Sequence, residues 1–416
     1  MIKFDRFVLK NGLRLLVYQD KSTPLVSVNT LYNVGAVNED ENRTGFAHLF
    51  EHLMFGGSVN IPEFDAVLQR AGGENNAFTS NDITNYYITI PLQNIETAFY
   101  LESDRMLELA FSQKSLDVQK NVVSEEFRQR YLNQPYGDVS LHLRPLAYKV
   151  HPYKWSTIGK EISHITDASM QEVKDFFYNH YAPNNAILVV AGNVEPENIL
   201  KLTEKWFGNI LRRNVRNKEI PIEPQQTQKR ELILERDVTA DAIYMAYHMS
   251  ERLSDDYFAS DLISDLLSNG KSSMFNKNLI KGDKLFSQLD AYIQGAVFPG
   301  LFMINGKLYP ETDFKFAETK IKEQLNKIIR GKFSNRDLQK VKNRAISAML
   351  FARIHHLNIA MELAYFEALG KAEMINEIET KYQQVTHEKI VEVANKIFRD
   401  NNLSCIYYKS KNKKND

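Results

Sequence analysis

His48-Leu49-Phe50-Glu51-His52 is the stretch of this chain best equipped for chemistry. Two imidazoles stand four residues apart, with a carboxylate directly before the second. On an α-helix, residues i and i+4 share a face, so both rings can reach one metal ion. Glu51, three residues after His48, lies close to that face and can handle a proton on a metal-bound water. The order H-x-x-E-H reverses the commoner H-E-x-x-H zinc helix and nominates a zinc-dependent peptidase. The surrounding helix is apolar (Phe46, Ala47, Leu49, Phe50, Leu53, Met54, Phe55), so three polar groups clustered on it need a partner.

Catalytic zinc usually takes three protein ligands and keeps a fourth position for water. The third must come from elsewhere, and Val122-Val123-Ser124-Glu125-Glu126-Phe127 offers a candidate. Val118, Val122 and Glu125 fall at i, i+4 and i+7, a stripe expected to face the interior, where a carboxylate needs a compensating cation. Glu126 is one step round the helix, and periodicity leaves both acids open. His355-His356 and the remaining histidines lack comparable spacing and read as structural. Ser268-Asn269-Gly270-Lys271-Ser272-Ser273 superficially resembles a phosphate loop, yet Asp265 stands where the pattern requires glycine. A loop after a helix is expected there.

Positioning these groups requires a scaffold, and hydrophobic periodicity outlines one. Strands are expected on either side of Asn11-Gly12, at Val26–Val34 and at Asn85–Pro91. The metal helix should start near Gly45, behind a Thr44 cap, and stop at Gly56-Gly57. A second helix opens at Ile61-Pro62 and ends near Gly72-Gly73, with further helices over about 94–110 and 115–132. Ala186–Gly192 reads as a buried strand leading into a helix at 196–206. From Arg212 to Arg230 the chain is charged and proline-bearing with little periodicity, as a connector would be. Beyond it the outline repeats, with a strand at Ala242–His248 and a helix near 254–268 that holds no histidine. The expected organisation is a zinc-bearing domain at 1–212, a linker at 213–230, a homologous domain at 231–408 and a frayed lysine-rich tail at 409–416.

Bulk properties narrow the class. The 416 residues are 43% hydrophobic and 25% charged, ordinary for a globular protein, and the formal net charge is zero. Nothing points to nucleic acid or to a membrane surface. No apolar run approaches the roughly 18–20 residues of a membrane span. Cys405 is the only cysteine, so no disulfide can form within the chain. Met1–Arg6 lacks the apolar run of a signal peptide, and a cytoplasmic enzyme is the expectation.

The zinc helix, with Glu125 in its V-V-S-E-E context, resembles the pitrilysin/insulysin (M16, inverzincin) zinc peptidases, which include the mitochondrial processing peptidases. Asn76-Ala77-Phe78-Thr79-Ser80, followed by Thr84-Asn85-Tyr86-Tyr87, is similar to the family's N-A-F-T-S and T-x-Y-Y hallmark. Tyr181-Ala182-Pro183-Asn184-Asn185-Ala186 and Val190-Ala191-Gly192 resemble a further family segment, so the likeness spans most of residues 8–210. It implies an α+β fold of two homologous halves, each an antiparallel sheet with helices packed on one face, forming a clamshell. It implies Zn2+ held by His48, His52 and Glu125, with Glu51 as general base. Bound zinc can lower the pKa of water from about 15.7 to about 7. An acid that larger members carry seven residues before the third ligand is Val118 here.

Asn76, Ala77 and Phe78 should lie on an edge strand to which a peptide substrate adds. Members that act alone carry an arginine and a tyrosine in their second half, whereas no arginine occurs between Arg252 and Arg330. Lysine cannot replace a planar guanidinium. The resemblance therefore implies the catalytic subunit of a dimer, its partner a homologous chain carrying the Arg/Tyr pair. A homodimer would lack that clamp. Two rival readings are a non-catalytic binding or assembly subunit and a presequence-processing enzyme.

Overall fold

A computed structural model of the chain describes residues 1–215 and 218–411. The elements of the first half are β1 (Asp5–Val8), β2 (Arg14–Gln19), β3 (Leu25–Tyr32), α1 (Phe46–Leu53), α2 (Phe64–Arg70), β4 (Glu74–Thr79), β5 (Thr84–Pro91), α3 (Ile95–Leu107), α4 (Gln113–Phe127), α5 (Val139–Ala147), α6 (Ser163–Thr166), α7 (Met170–His180), β6 (Ala186–Gly192) and α8 (Pro196–Phe207). Then come β7 (Arg230–Arg236), β8 (Ala242–His248), α9 (Asp255–Ser268), β9 (Phe286–Gln294), β10 (Leu301–Leu308), α10 (Phe314–Ile329), α11 (Asn335–Ala352), α12 (His356–Ala368), α13 (Ile378–Gln384), α14 (His387–Ile397) and β11 (Leu403–Ser410). The strands expected at Asn85–Pro91, Ala186–Gly192 and Ala242–His248 form within a residue of those limits.

Two sheets organise these elements, ordered β1-β2-β6-β3-β5-β4 and β7-β11-β8-β10-β9. Apart from β1 the orders correspond strand for strand. Each contains one parallel pair, β2 with β6 and β7 with β11, so the sheets are mixed rather than purely antiparallel. The fold is α+β with two sheets of matching topology. β6 is buried at all seven positions, and because neighbouring side chains point to opposite faces, both faces there are covered. Helices on one face alone, as expected, would not achieve this.

The cover comes partly from outside the contiguous halves. Among the described residues, unit 1 is built from Met1–Arg128, Trp155–Ile220 and Leu350–Glu377, and unit 2 from Gln129–Lys154, Pro221–Met349 and Ile378 onward. Halves divided at 1–212 and 231–408 are therefore not the compact units. Ile359, Ala360, Leu363, Ala364 and Phe366 give α12 a buried apolar surface, which packs on β3 and β6 of unit 1. Likewise α5 packs on β8 and β11 of unit 2. Each exchanged helix is fastened by an acid. Glu367 receives Arg6 (2.9 Å) and Arg14 (3.7 Å), and Asp138 receives Arg236 (2.9 Å) and the Tyr408 hydroxyl (2.7 Å). Against burial, His142, with Tyr408 and Arg236, holds the Asp138 pKa down at about 2.

Two boundary expectations change. The described part of the 213–230 linker has no regular element before β7, as expected, but it is tied down. Glu223 accepts the N–H groups of Lys149, Val150 and His151 (2.8, 2.9 and 3.0 Å). Lys409 and Ser410, assigned to the frayed tail, complete β11, where Ser410 N–H donates to Asp241 (2.8 Å). Residues 412–416 of that tail lie outside the described residues.

Candidate active site

α1 is a short helix wedged by aromatic packing. Phe46, Ala47, His48, Leu49, Phe50 and Leu53 are buried. The Phe50 ring stacks on Phe176 and Tyr181 at centroid distances of 5.2 and 5.0 Å. The Tyr86 hydroxyl on β5 donates to the Phe50 carbonyl (3.2 Å), tying the helix to the sheet. Past its end, Asn60 donates to Asp104 through its amide side chain (2.6 Å) and backbone N–H (3.0 Å). With its back fixed in this way, α1 presents His48 and His52 together, ring centroids 4.9 Å apart.

The third group at these rings is Glu126. Its Oε2 lies 3.6 Å from His48 Nε2 and 3.4 Å from His52 Nε2, and one ligand atom from each of the three falls within 4.8 Å of the others. Two ligands about 2.0–2.2 Å from a tetrahedral ion stand about 3.3–3.6 Å apart, so the donor set and its spacing fit zinc. Glu125, the ligand expected from the resemblance, does not join them. It is more than half exposed and faces Arg128 at 3.4 Å.

Helical phase explains this. Leu116, Val123 and Phe127 form the buried side of α4, while Val118 and Val122 are exposed. At about 100° per residue, Glu125 lies about 180° round from Leu116, and Glu126 only about 80°. The stripe expected to face inward faces outward. The residue seven before the third member of the cluster, Glu126, is accordingly Gln119 instead of Val118.

Glu51 points to the same region and carries one firm bond, from the Thr79 hydroxyl to its Oε2 (2.6 Å). Burial raises its pKa above the ordinary carboxylate value, opposed chiefly by the Thr79 bond. Thr79 is the last residue of β4, and β4 is the edge strand expected at Asn76-Ala77-Phe78: it pairs with β5 and ends the sheet order. Sequence reading placed the strand but missed the bond from Thr79. Thr44, expected to cap α1, instead accepts the Lys160 N–H (2.8 Å) and lies 2.8 Å from His164 Nδ1. His355 and His356 lie at the start of α12, away from this cluster.

In unit 2, the stretch Ser272–Ser287 passes through a turn of π-helix at Asn276–Gly282 into β9. Arg252, upstream of that stretch, holds its guanidinium over the Tyr257 ring at 4.3 Å. Among the described residues, no helix is long and apolar enough to cross a membrane.

Comparison with known proteins agrees with this architecture. Residues 14–161 match the family model described as insulinase (peptidase family M16), and residues 167–345 match that of the peptidase M16 inactive domain. The chain is 28% identical over 415 residues to zinc protease PqqE of Helicobacter pylori, covering 98% of this chain and 93% of the relative. It is 21% identical over 429 residues to mitochondrial-processing peptidase subunit beta of Saccharomyces cerevisiae, covering 97% and 88%. A solved protease from Helicobacter pylori superposes with a TM-score of 0.92 at 28% identity, covering 98% of this chain and 100% of that one. The periplasmic protease PqqL of Escherichia coli shares the fold at a TM-score of 0.80 and 18% identity, this chain spanning 47% of it. Zinc proteases of this kind use Zn2+. With both halves matched in order, the chain belongs to peptidase family M16.

Proposed function

We propose that this chain is a zinc-dependent endopeptidase of unstructured peptides, acting as the catalytic subunit of a dimer. The observation that carries the reading is the convergence of His48, His52 and Glu126 beside Glu51. His48, His52 and Glu126 would hold Zn2+, which supplies Lewis-acid polarisation and acidifies water. Glu51 is the general base. With Oε2 engaged by Thr79, its other oxygen is the one to take a proton and return it to the leaving amine.

Substrate binding falls to β4. A peptide added as a further strand gains backbone hydrogen bonds that tolerate varied sequences. Asn76, Ala77 and Phe78 are the strand residues at that edge, and Phe78 is 39% exposed. The Ala77 N–H donates to the Asn76 side chain (2.8 Å), a bond that an incoming peptide carbonyl replaces. That exchange leaves the edge covered when no peptide is bound.

The missing arginine between Arg252 and Arg330 favours a heterodimer whose homologous partner contributes an Arg/Tyr pair; a homodimer would be feeble. The relative described as a subunit of a processing peptidase supports pairing. The single thiol, Cys405, is buried, which accords with a reducing compartment such as the cytoplasm.

The test is zinc content together with chelator-sensitive cleavage of a quenched peptide, by the chain alone and with any co-purifying sister chain. One equivalent of zinc, weak cleavage alone and strong cleavage with the partner is the expected result. Zinc-free protein, inert with and without its partner even after zinc is supplied, would leave the binding or assembly role as the correct one. Full turnover by the chain alone would remove the need for a partner.

A further inference from the structure

Glu39 is 1% exposed, follows a turn of 3-10 helix at Ala36–Asn38 and plays no part in the chemistry above. Its two carboxylate oxygens accept the backbone N–H groups of Gly45 and Ala47, each at 2.9 Å. Those donors belong to the start of α1, where the first N–H groups of any helix lack partners within it. α1 cannot be capped in the ordinary way. Gly45 occupies the cap position with φ at +91°, and a Cβ there would lie 2.6 Å from the Ile158 carbonyl oxygen. The hydroxyl of the preceding residue, Thr44, is engaged elsewhere.

The carboxylate also meets the positive end of the helix dipole. It is itself anchored, since Lys218 Nζ donates to the Glu39 carbonyl oxygen (2.8 Å) and Glu39 N–H donates to Ala36 (3.3 Å). Burial disfavours the charged form of the Glu39 carboxyl, and the Ala47 and Gly45 donors oppose that. An acid held in so unfavourable a place is explained by what it holds. The first turn of α1 is Phe46, Ala47 and His48, so the residue whose N–H Glu39 grips, Ala47, immediately precedes an imidazole of the cluster.

We infer that Glu39 is a positioning residue for the metal centre: by capping α1 from a distant loop, it sets the register of His48 against His52 and Glu126. This deepens the zinc-peptidase reading and rests on it. Outer groups that orient ligands typically contribute about 10–100-fold to metal affinity, the scale expected here.

The experiment compares the full chain with Glu39→Gln and Glu39→Ala. Zinc affinity is measured by competition with a chromophoric chelator, the Co2+ form by its visible spectrum, and the metal-free fold by thermal melting. Glu39→Gln keeps the shape with one fewer acceptor. It should weaken zinc about 10–100-fold and alter the Co2+ spectrum while the metal-free protein melts within a few degrees of the parent. Unchanged zinc affinity and spectrum in Glu39→Gln would overturn the inference, whether or not Glu39→Ala folds. A parent chain that binds no zinc would sink the peptidase reading itself, a separately recognisable result.

Discussion

In unit 1, α1 meets the edge strand β4 through a hydroxyl, Thr79 Oγ1 donating to the Glu51 carboxylate (2.6 Å). In unit 2, α9 meets the edge strand β9 through a hydroxyl as well, Ser268 Oγ donating to the Ala291 carbonyl oxygen (2.8 Å). Each helix lies in the chain between matching strands, α1 between β3 and β4 and α9 between β8 and β9. Yet the acids of α9 are engaged by other side chains of unit 2: Asp261 accepts from Tyr382 (2.5 Å), Asp265 from Asn269 (2.6 Å), and Asp255 and Asp256 pair with lysines. A helix-to-edge-strand junction is thus a structural need of the fold, met twice. Unit 1 meets it with a bond to the proposed base, so the strand that would take up substrate also orients the group that would act on it.

Four measurements would break or sharpen this contrast. Removing the acid that completes the imidazole cluster should have the largest effect. Glu126→Ala is expected to lose zinc and more turnover than the roughly 10–100-fold that an outer partner contributes. Glu125→Ala, which removes an exposed pair with Arg128, should stay within about twofold. Metal analysis and peptide cleavage on both variants check this, and the opposite ranking would restore Glu125.

Next is the base. Glu51→Gln should keep zinc yet lose roughly 10²–10⁴ in kcat, the usual contribution of general acid–base catalysis. Undiminished cleavage would make unit 1 as inert at this position as unit 2.

A smaller loss is expected at the junction. Hydrogen bonds to charged groups contribute about 1.5–3 kcal/mol, so Thr79→Val should cost about 10–100-fold in kcat with zinc retained. Thr79→Ser should recover most of it. Equal rates in all three would reduce the Thr79 bond to the purely structural role of its Ser268 counterpart.

The last concerns stability. α7 and α14 are equal in length and capped by Ser169 and Thr386, so His180 is the counterpart in unit 1 of Ile397 in unit 2, both buried. Burial lowers the His180 pKa to about 4 from an ordinary 6.5, so the folded chain prefers the neutral ring. Its contribution is whole above pH 6.5 and is lost as pH falls towards 4, because the unfolded chain takes up the proton first. His180→Ile should therefore relieve roughly 2–4 kcal/mol of acid sensitivity. Urea unfolding at pH 5 and 7.5 measures it, and an identical pH slope in both proteins would rule it out.

Much of the candidate metal helix was legible in the sequence, since i, i+4 spacing puts His48 and His52 on one face of any helix containing them. The buried run of β6 and the repeat of strand then helix were equally readable. The acid that joins the two imidazoles was not. Val118 and Val122 suggested an inward stripe that only the packing of Leu116, Val123 and Phe127 contradicts. Thr44 offered a cap by proximity, and the fold used Glu39 instead, through contacts six and eight residues along the chain.

Sequence alone determined that a metal-competent pair with an adjacent acid rides on a helix between two strands. Local spacing suffices there, because helix geometry is the same in every protein. Tertiary structure decided which glutamate turns toward the pair, which hydroxyl holds the base, and which half of the chain covers each sheet. Those choices depend on apolar surfaces finding complements far away in the sequence, and no local period records where the complement lies.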